Sequence, residues 1–294
     1  MAGLKDIDRR IKTSKNTQKT TYAMKLVSAA KLRKAQDAAT KSKDYSSSLG
    51  RLFKQLYVAK DGKVTHPLST AKESVKKVKL IVVGASKGLC GGYNSHVNKA
   101  LAKAVDEAKE RELELSITIL GKKPLDFANR FEYEVAESFT DLNDNPHDWP
   151  LEKISVAAQQ DFVSGDVDEV WLIYTKFKSA MSMEPVREVL LPLSADQLAK
   201  EVEMNETKAM ATKFEPDADA VFAAVLPRIV SAQLIKACFD SKAGEQGSRM
   251  AAMDSATKNA DELIENLTRT YNKLRQGAIT AQILDIVGGA EAVK

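Results

Sequence analysis

The sequence predicts an α/β protein built on long helices: an antiparallel two-helix coiled coil made from the two chain ends, plus a small α/β domain between them. Three observations predict it. From Arg228 to Val287 there is no proline, and the glycines are sparse (Gly244, Gly247, Gly277). As a helix those ~60 residues extend ~90 Å, far beyond the ~20 residues of an ordinary globular helix. The opposite end, Ala2 to Lys60, is also proline-free and rich in helix formers. A solitary helix of such length has little stability of its own, so each end is the other's natural partner. Between them, short apolar runs alternate with amphipathic stretches, the pattern of a mostly parallel sheet covered by helices.

In the N-terminal arm, Leu4, Ile7 and Ile11 fall at helical spacing. In Tyr22–Leu32, Ala23, Met24, Leu26, Val27, Ala29 and Ala30 surround nearly the whole helix circumference. A helix apolar on most sides is enclosed on most sides; one partner helix cannot do this, so a third surface is implied. Lys41–Ser48 is polar, and Leu49, Leu52, Phe53 and Leu56 restore a stripe. Asp61–Lys77 reads as a linker, with Gly62 and Pro67.

The middle is Rossmann-like. Strands are expected at Val78–Gly84, Leu115–Leu120, Tyr133–Phe139, Glu169–Phe177 and Val186–Leu191, from short β-branched apolar runs. Helices are expected at Ser95–Arg111, Pro124–Arg130 and Leu151–Val163, with Ser194–Lys213 as polar helix or loop. Pro216, Asp217 and Asp219 suit the first turn of the C-terminal helix. Pro227 is expected to kink or divide that helix. Beyond it Leu263, Leu267, Tyr271, Leu274, Ala278 and Ala281 recur at coiled-coil spacing. The small residues Ala251, Ala252, Ala256 and Ala260 permit close approach, and Gly288-Gly289 is the expected C-cap. The domains are then residues 1–60, 75–195 and 214–294.

Apolar content of 44% and charge of 29% fit a folded, soluble protein. No run approaches 18 apolar residues, so no membrane span is expected, and the start MAGLKDIDRR has no secretory signal. Cys90 and Cys238 have no metal spacing and suggest a reducing compartment; His66, His96 and His147 are scattered. Net charge is +4, but residues 1–60 carry 15 Lys and Arg against Asp6, Asp8, Asp37 and Asp44. Such asymmetry indicates an acidic partner or a polyanion, or else a solvated lysine-rich helix.

Strand, glycine loop and helix form the layout of a phosphate cradle. The loop here runs from Gly84 through Gly88 to Gly91-Gly92. It lacks the Gly-Lys-Ser/Thr ending of a P-loop and the spacing of a dinucleotide fingerprint, so a tight turn is the better reading. No GxSxG or HExxH occurs and no residue is nominated as catalytic. The basic arm is a candidate nucleic-acid binder, but aromatics are scarce in it and its most apolar piece lies among its basic residues. A small α/β nucleotide-binding protein with basic helical arms remains the alternative reading.

Four segments carry a resemblance over essentially the whole chain: NTQKTTYAMKLVSAAKLRKAQ (Asn16–Gln36), GLCGGYN (Gly88–Asn94), EQGSRMAAMDSATKNA (Glu245–Ala260) and TYNKLRQGAITAQILDIVGGAEA (Thr270–Ala292). Together they resemble the gamma subunit family of bacterial rotary (F-type) ATP synthases. In the family's C-terminal signature Ile279-Thr280, Asp285 and Gly289-Ala290 match, whereas Gln282 stands where the family usually has Glu.

The resemblance implies a non-catalytic rotor shaft. It is expected to rotate inside a ring of alpha and beta subunits and to couple proton flow through the membrane sector to ATP synthesis or hydrolysis. It implies one copy per complex and contacts with the epsilon subunit and the membrane ring of c subunits. It implies no cofactor, metal or nucleic acid, and a peripheral location on the cytoplasmic face of the inner membrane. Carried over by position, Met24, Arg275, Gln276, Thr280 and Gln282 contact the catalytic ring, and Phe214 and Glu215 contact the membrane rotor ring. No redox insert of the chloroplast kind is present in the sequence.

Overall fold

The computed structural model describes residues 2–59, 66–179, 182–194, 215 and 217–292. The elements in chain order are α1 (Ala2–Ala59), β1 (Lys77–Val83), α2 (Tyr93–Glu110), β2 (Glu114–Leu120), α3 (Lys122–Arg130), β3 (Val135–Phe139), α4 (Leu151–Ser164), β4 (Glu169–Ser179), β5 (Ser182–Leu191) and α5 (Ala218–Ala292). Short 3-10 turns at Pro67–Ser69 and Pro146–Asp148 precede β1 and α4. The chain divides into two compact units, residues 30–248 and a smaller one formed by residues 1–29 with 249–294.

In the larger unit the five strands run in the order β3-β2-β1-β4-β5. The first three pairings are parallel and β4–β5 is antiparallel. β1 is the centre, with Leu80 opposite Ile117 on one side and Trp171 on the other. Its alternation puts Val78, Leu80 and Val82 against α2, where Val97, Leu101, Ala104 and Val105 cover them. Ile81 and Val83 face the other way, into a core with Ile154, Ala158 and Phe162 of α4. The same core takes Phe53 and Leu56 of α1 and Leu226, Val230 and Leu234 of α5. Phe53 meets Phe222 edge-on at 5.2 Å. Burying each such side chain contributes roughly 1.5–3 kcal/mol, so the ends of both long helices are anchored by apolar area.

Two glycines let the strand ends close. A Cβ on Gly121, whose φ is +111°, would lie 2.5 Å from the Gly84 carbonyl oxygen, and one on Gly84 would lie 2.8 Å from Pro124. Only glycines permit this approach while Gly84 N–H donates to Leu120 O and Gly121 N–H to Phe139 O.

Two expectations are corrected. Pro227 does not divide α5, which runs unbroken through it. The carbonyl that loses its partner belongs to Ala223, which is exposed, and Pro227 O itself accepts from Gln159 Nε2 and Ser231 Oγ. Gly288-Gly289 is not a C-cap: the helix continues to Ala292. The apolar start of α5 also passes for a membrane span by length and composition, with an 18-residue window of mean hydropathy 1.5, half of it buried. Its residues Leu226, Val230 and Leu234 lie in the core of the larger unit. Asp217 caps the helix by accepting from Ala220 N–H at 2.8 Å. Of the Ser194–Lys213 stretch, all but Ser194 lies outside the described residues, as does Pro216.

Candidate functional site

In the smaller unit the start of α1 pairs with the end of α5. Lys25 Nζ meets Asp254 Oδ1 at 2.6 Å and Thr257 Oγ1 meets Thr21 Oγ1 at 2.8 Å. As the number rises on one helix it falls on the other, so the pair is antiparallel. Lys25 holds the Asp254 carboxyl down at about 2, with Lys258 assisting. Along α1 the shielded positions include Leu4, Ile7, Ile11, Ser14, Gln18, Thr21, Lys25 and Ser28, a 3-4 alternation. Along α5 they are Met253, Thr257, Ala260, Ile264, Leu267, Tyr271 and Ala278.

The α5 seam differs from the expected one in three positions, of which Ala281 is exposed. Leu263 is 49% exposed and Leu274 46%, and Ile264 takes the inner place expected of Leu263. The phase follows Met253, Thr257 and Ala260, whose small or flexible side chains let the helices approach. Of the small residues, Ala260 is buried, Ala252 and Ala256 are partly buried, and Ala251 is exposed.

Parts of the outer faces of the pair are apolar. On α1, Tyr22, Leu26 and Val27 are each about half exposed. On α5, Ile279, Ile283, Leu284, Ile286 and Val287 are 48–71% exposed. Clustered exposed apolar side chains mark a surface that another protein covers. Of the five α5 residues only Ile279 was singled out from the sequence, although the run Ile283-Leu284-Asp285-Ile286-Val287 carried the signal. Of the positions nominated for ring contact, Met24 is half-buried; Arg275, Gln276, Thr280 and Gln282 are exposed along the same stretch of α5 as the apolar group. Thr280 Oγ1 donates back to Gln276 O. Glu215 is exposed, and Phe214 lies outside the described residues.

In the larger unit the loop from Gly84 to Gly92 closes as a turn. Leu89 and Gly91 have positive φ, Tyr93 N–H donates to Cys90 O, and Ser248 Oγ of α5 donates to the same carbonyl at 2.6 Å. α5 lies tightly on the sheet nearby: Ser241 Oγ accepts the Thr175 N–H, and a Cβ on Gly244 would stand 3.1 Å from Thr175 Cγ2. Tyr93 is sealed under this crossing, where burial first and Glu245 second push its phenol above the usual range. A short ion network ties the two long helices to the loop before α4: Asp144 receives Lys31 at 2.6 Å and Lys242 at 3.0 Å, and Lys242 also meets Glu245 at 3.1 Å. Partial burial opposes ionisation of Asp144, but the two lysines outweigh it and hold the carboxyl well below the usual range. Among the described residues, no three His, Cys, Asp or Glu side chains gather as metal ligands.

Comparison with known proteins agrees with this geometry. The family profile described as ATP synthase matches residues 3–293. The ATP synthase gamma chain of Pelotomaculum thermopropionicum is 39% identical over 294 residues, covering all of both chains. That of Bdellovibrio bacteriovorus is 39% identical over 297 residues, again covering both in full. Among solved structures, a chain from the Euglena gracilis mitochondrial ATP synthase has TM-score 0.63 at 17% identity, over 99% of this chain and 95% of its own. A chain from the Tetrahymena thermophila mitochondrial ATP synthase central stalk and c-ring has TM-score 0.57 at 24% identity, over 81% of this chain and 99% of its own. These two show the shared fold. On the full-length match, the chain belongs to the gamma chain family of the ATP synthases, the family of the rotor shaft.

Proposed function

We propose that this chain couples proton flow to catalysis by rotating, as a single copy, inside a ring of alpha and beta subunits, and that it has no catalytic site of its own. The observation that carries the reading is the helix pair of the smaller unit. Its seam is inward and thin, and its outer faces present Tyr22, Leu26, Val27 and the group from Ile279 to Val287. A ring wall supplies the surface they lack. One asymmetric shaft cannot meet several identical subunits in the same way. Each orientation therefore stabilises a different conformation at each catalytic site, which is coupling through differential contacts.

Met24, Arg275, Gln276, Thr280 and Gln282 are the proposed ring contacts. Gln282 carries no charge where the family usually has Glu, so a contact there is a hydrogen bond and not an ion pair. Phe214 and Glu215 are the proposed contacts with the membrane ring of c subunits, and the epsilon subunit is a further proposed partner. The functional division follows residues 1–60 and 214–294 as shaft and 75–195 as base. The complex is membrane-associated, and the proposed side is the cytoplasmic face of the bacterial inner membrane.

The test is ATP hydrolysis by purified alpha and beta subunits with and without this chain, with assembly size measured in parallel. A six-subunit ring that takes up one copy and turns over much faster is the expected result. A chain that neither joins the ring nor alters turnover would overturn the reading.

A further inference from the structure

On the larger unit, a shallow open groove of about 380 Å³ lies between α2 and the edge strand β5. Its rim is formed by His96, Lys99 and Lys103, and its floor by Met183 and Pro185. The three basic residues stand at i, i+3 and i+7, so they share one helix face. His96, Lys99 and Lys103 are exposed, and neither lysine forms an ion pair among the described residues. The one acid on the rim, Glu184, is turned to Lys178 at 3.4 Å. The neighbouring arginine is also engaged: Arg187 meets Glu107 at 2.8 Å and stacks 4.2 Å over Trp171. The groove therefore offers two uncommitted ammonium groups over an apolar floor.

From this we propose that the groove is a docking site for an acidic helical segment of a partner protein. Lys99 and Lys103 are one turn apart, ~6 Å along the helix axis. Two carboxylates at i and i+4 of a second helix have the same spacing. An apolar side chain between them reaches Met183, whose flexible thioether adapts to varied shapes. Strand addition is disfavoured, because Pro185 removes a donor from the edge strand at the groove itself. The proposal rests on the assembly reading only for where the partner comes from: it gives the base of the shaft an attachment surface separate from the shaft's own.

The test uses the isolated full-length chain, so ring assembly can fail without touching it. The probe is a fluorescent, capped alanine-based helical peptide with Glu at i and i+4 and Leu at i+1. It is compared with the peptide carrying Gln at both positions, by anisotropy at low salt. Exposed ion pairs contribute little each, so the Glu peptide is expected to bind about tenfold more tightly than the Gln peptide. K99E/K103E is expected to abolish that preference, with the circular dichroism spectrum unchanged. Equal affinity for the two peptides, no binding, or a preference that survives K99E/K103E overturns the proposal. So does displacement by inorganic phosphate at the peptide's own concentration, which would identify a small-anion site.

Discussion

The ion pair under the sheet provides a test in which two single substitutions should behave unequally. Lys79 lies on the central strand β1, and its Nζ meets Asp161 Oδ2 of α4 at 2.6 Å. The lysine side chain is only 12% exposed, the aspartate 37%. Removing the carboxylate by Asp161→Asn leaves an ammonium group inside the core without its counter-ion. Stranding one partner of a buried pair costs about 3–5 kcal/mol, and the open end of this site reduces that to about 2–3 kcal/mol. Lys79→Met does the reverse: the abandoned carboxylate already reaches water, and the new side chain buries apolar atoms beside Ile81. That change is expected to stay within about 1 kcal/mol, and so is the double substitution. Both tryptophans, Trp149 and Trp171, lie in the larger unit, so urea unfolding followed by their fluorescence reads the correct region. D161N should lower the midpoint by about 1 M, while K79M and the double variant move it little. Equal losses from the two single substitutions, or additive losses in the double, would refute the asymmetry argument.

Two further outcomes follow from the same unit. Lys72, at 2.8 Å, and the backbone N–H groups of Lys76 and Lys77 hold Asp168 down at about 2. Its folded pKa is depressed, so its contribution is complete above the ordinary carboxylate value and is lost as pH falls through about 4 toward 2. Asp168→Asn should therefore be less stable than the parent by about 1–2 kcal/mol at neutral pH, and the two urea midpoints should converge by pH 2. Gly121→Ala places a Cβ 2.5 Å from the Gly84 carbonyl at a φ of +111°; a loss above about 2 kcal/mol is expected by thermal unfolding, and an unchanged midpoint would show that the strand ends can relax.

The architecture was legible because long proline-free ends and alternating apolar runs leave few alternatives. The parallel strands and their covering helices fall within a few residues of their expected bounds, since β1 and β4 are buried on both faces and read as continuous apolar runs. What escaped was decided by three-dimensional context. Pro227 reads as a breaker, yet its cost falls on an exposed carbonyl. Gly288-Gly289 reads as a stop, yet the helix continues through both. The phase of the seam escaped as well. Leu263 and Leu274 are large and apolar at the right interval, but the pairing of Thr21 with Thr257 sets a register in which Ile264 turns inward. In that register Met253 and Ala260 are buried on either side of the Thr21–Thr257 hydrogen bond.

That same seam explains why the smaller unit needs a surrounding surface. The positions shielded along α1 include Ser14, Gln18, Thr21 and Ser28, and among the described residues of the smaller unit only Ile11, Ser28, Arg249, Met253, Thr257 and Ala260 are buried. Two of those six are large apolar side chains, an apolar burial of only a few kcal/mol. Ordering the backbone of each residue costs about 1–2 kcal/mol, so a helix pair of this length is poorly supported by its own core. More large apolar groups face outward than inward. In an ordinary coiled coil that is a defect. In the proposed shaft it would supply a function: the outward groups would gain their burial inside the ring, and the thin, hydrogen-bonded seam would keep the two helices in register while the outer contacts change with each turn.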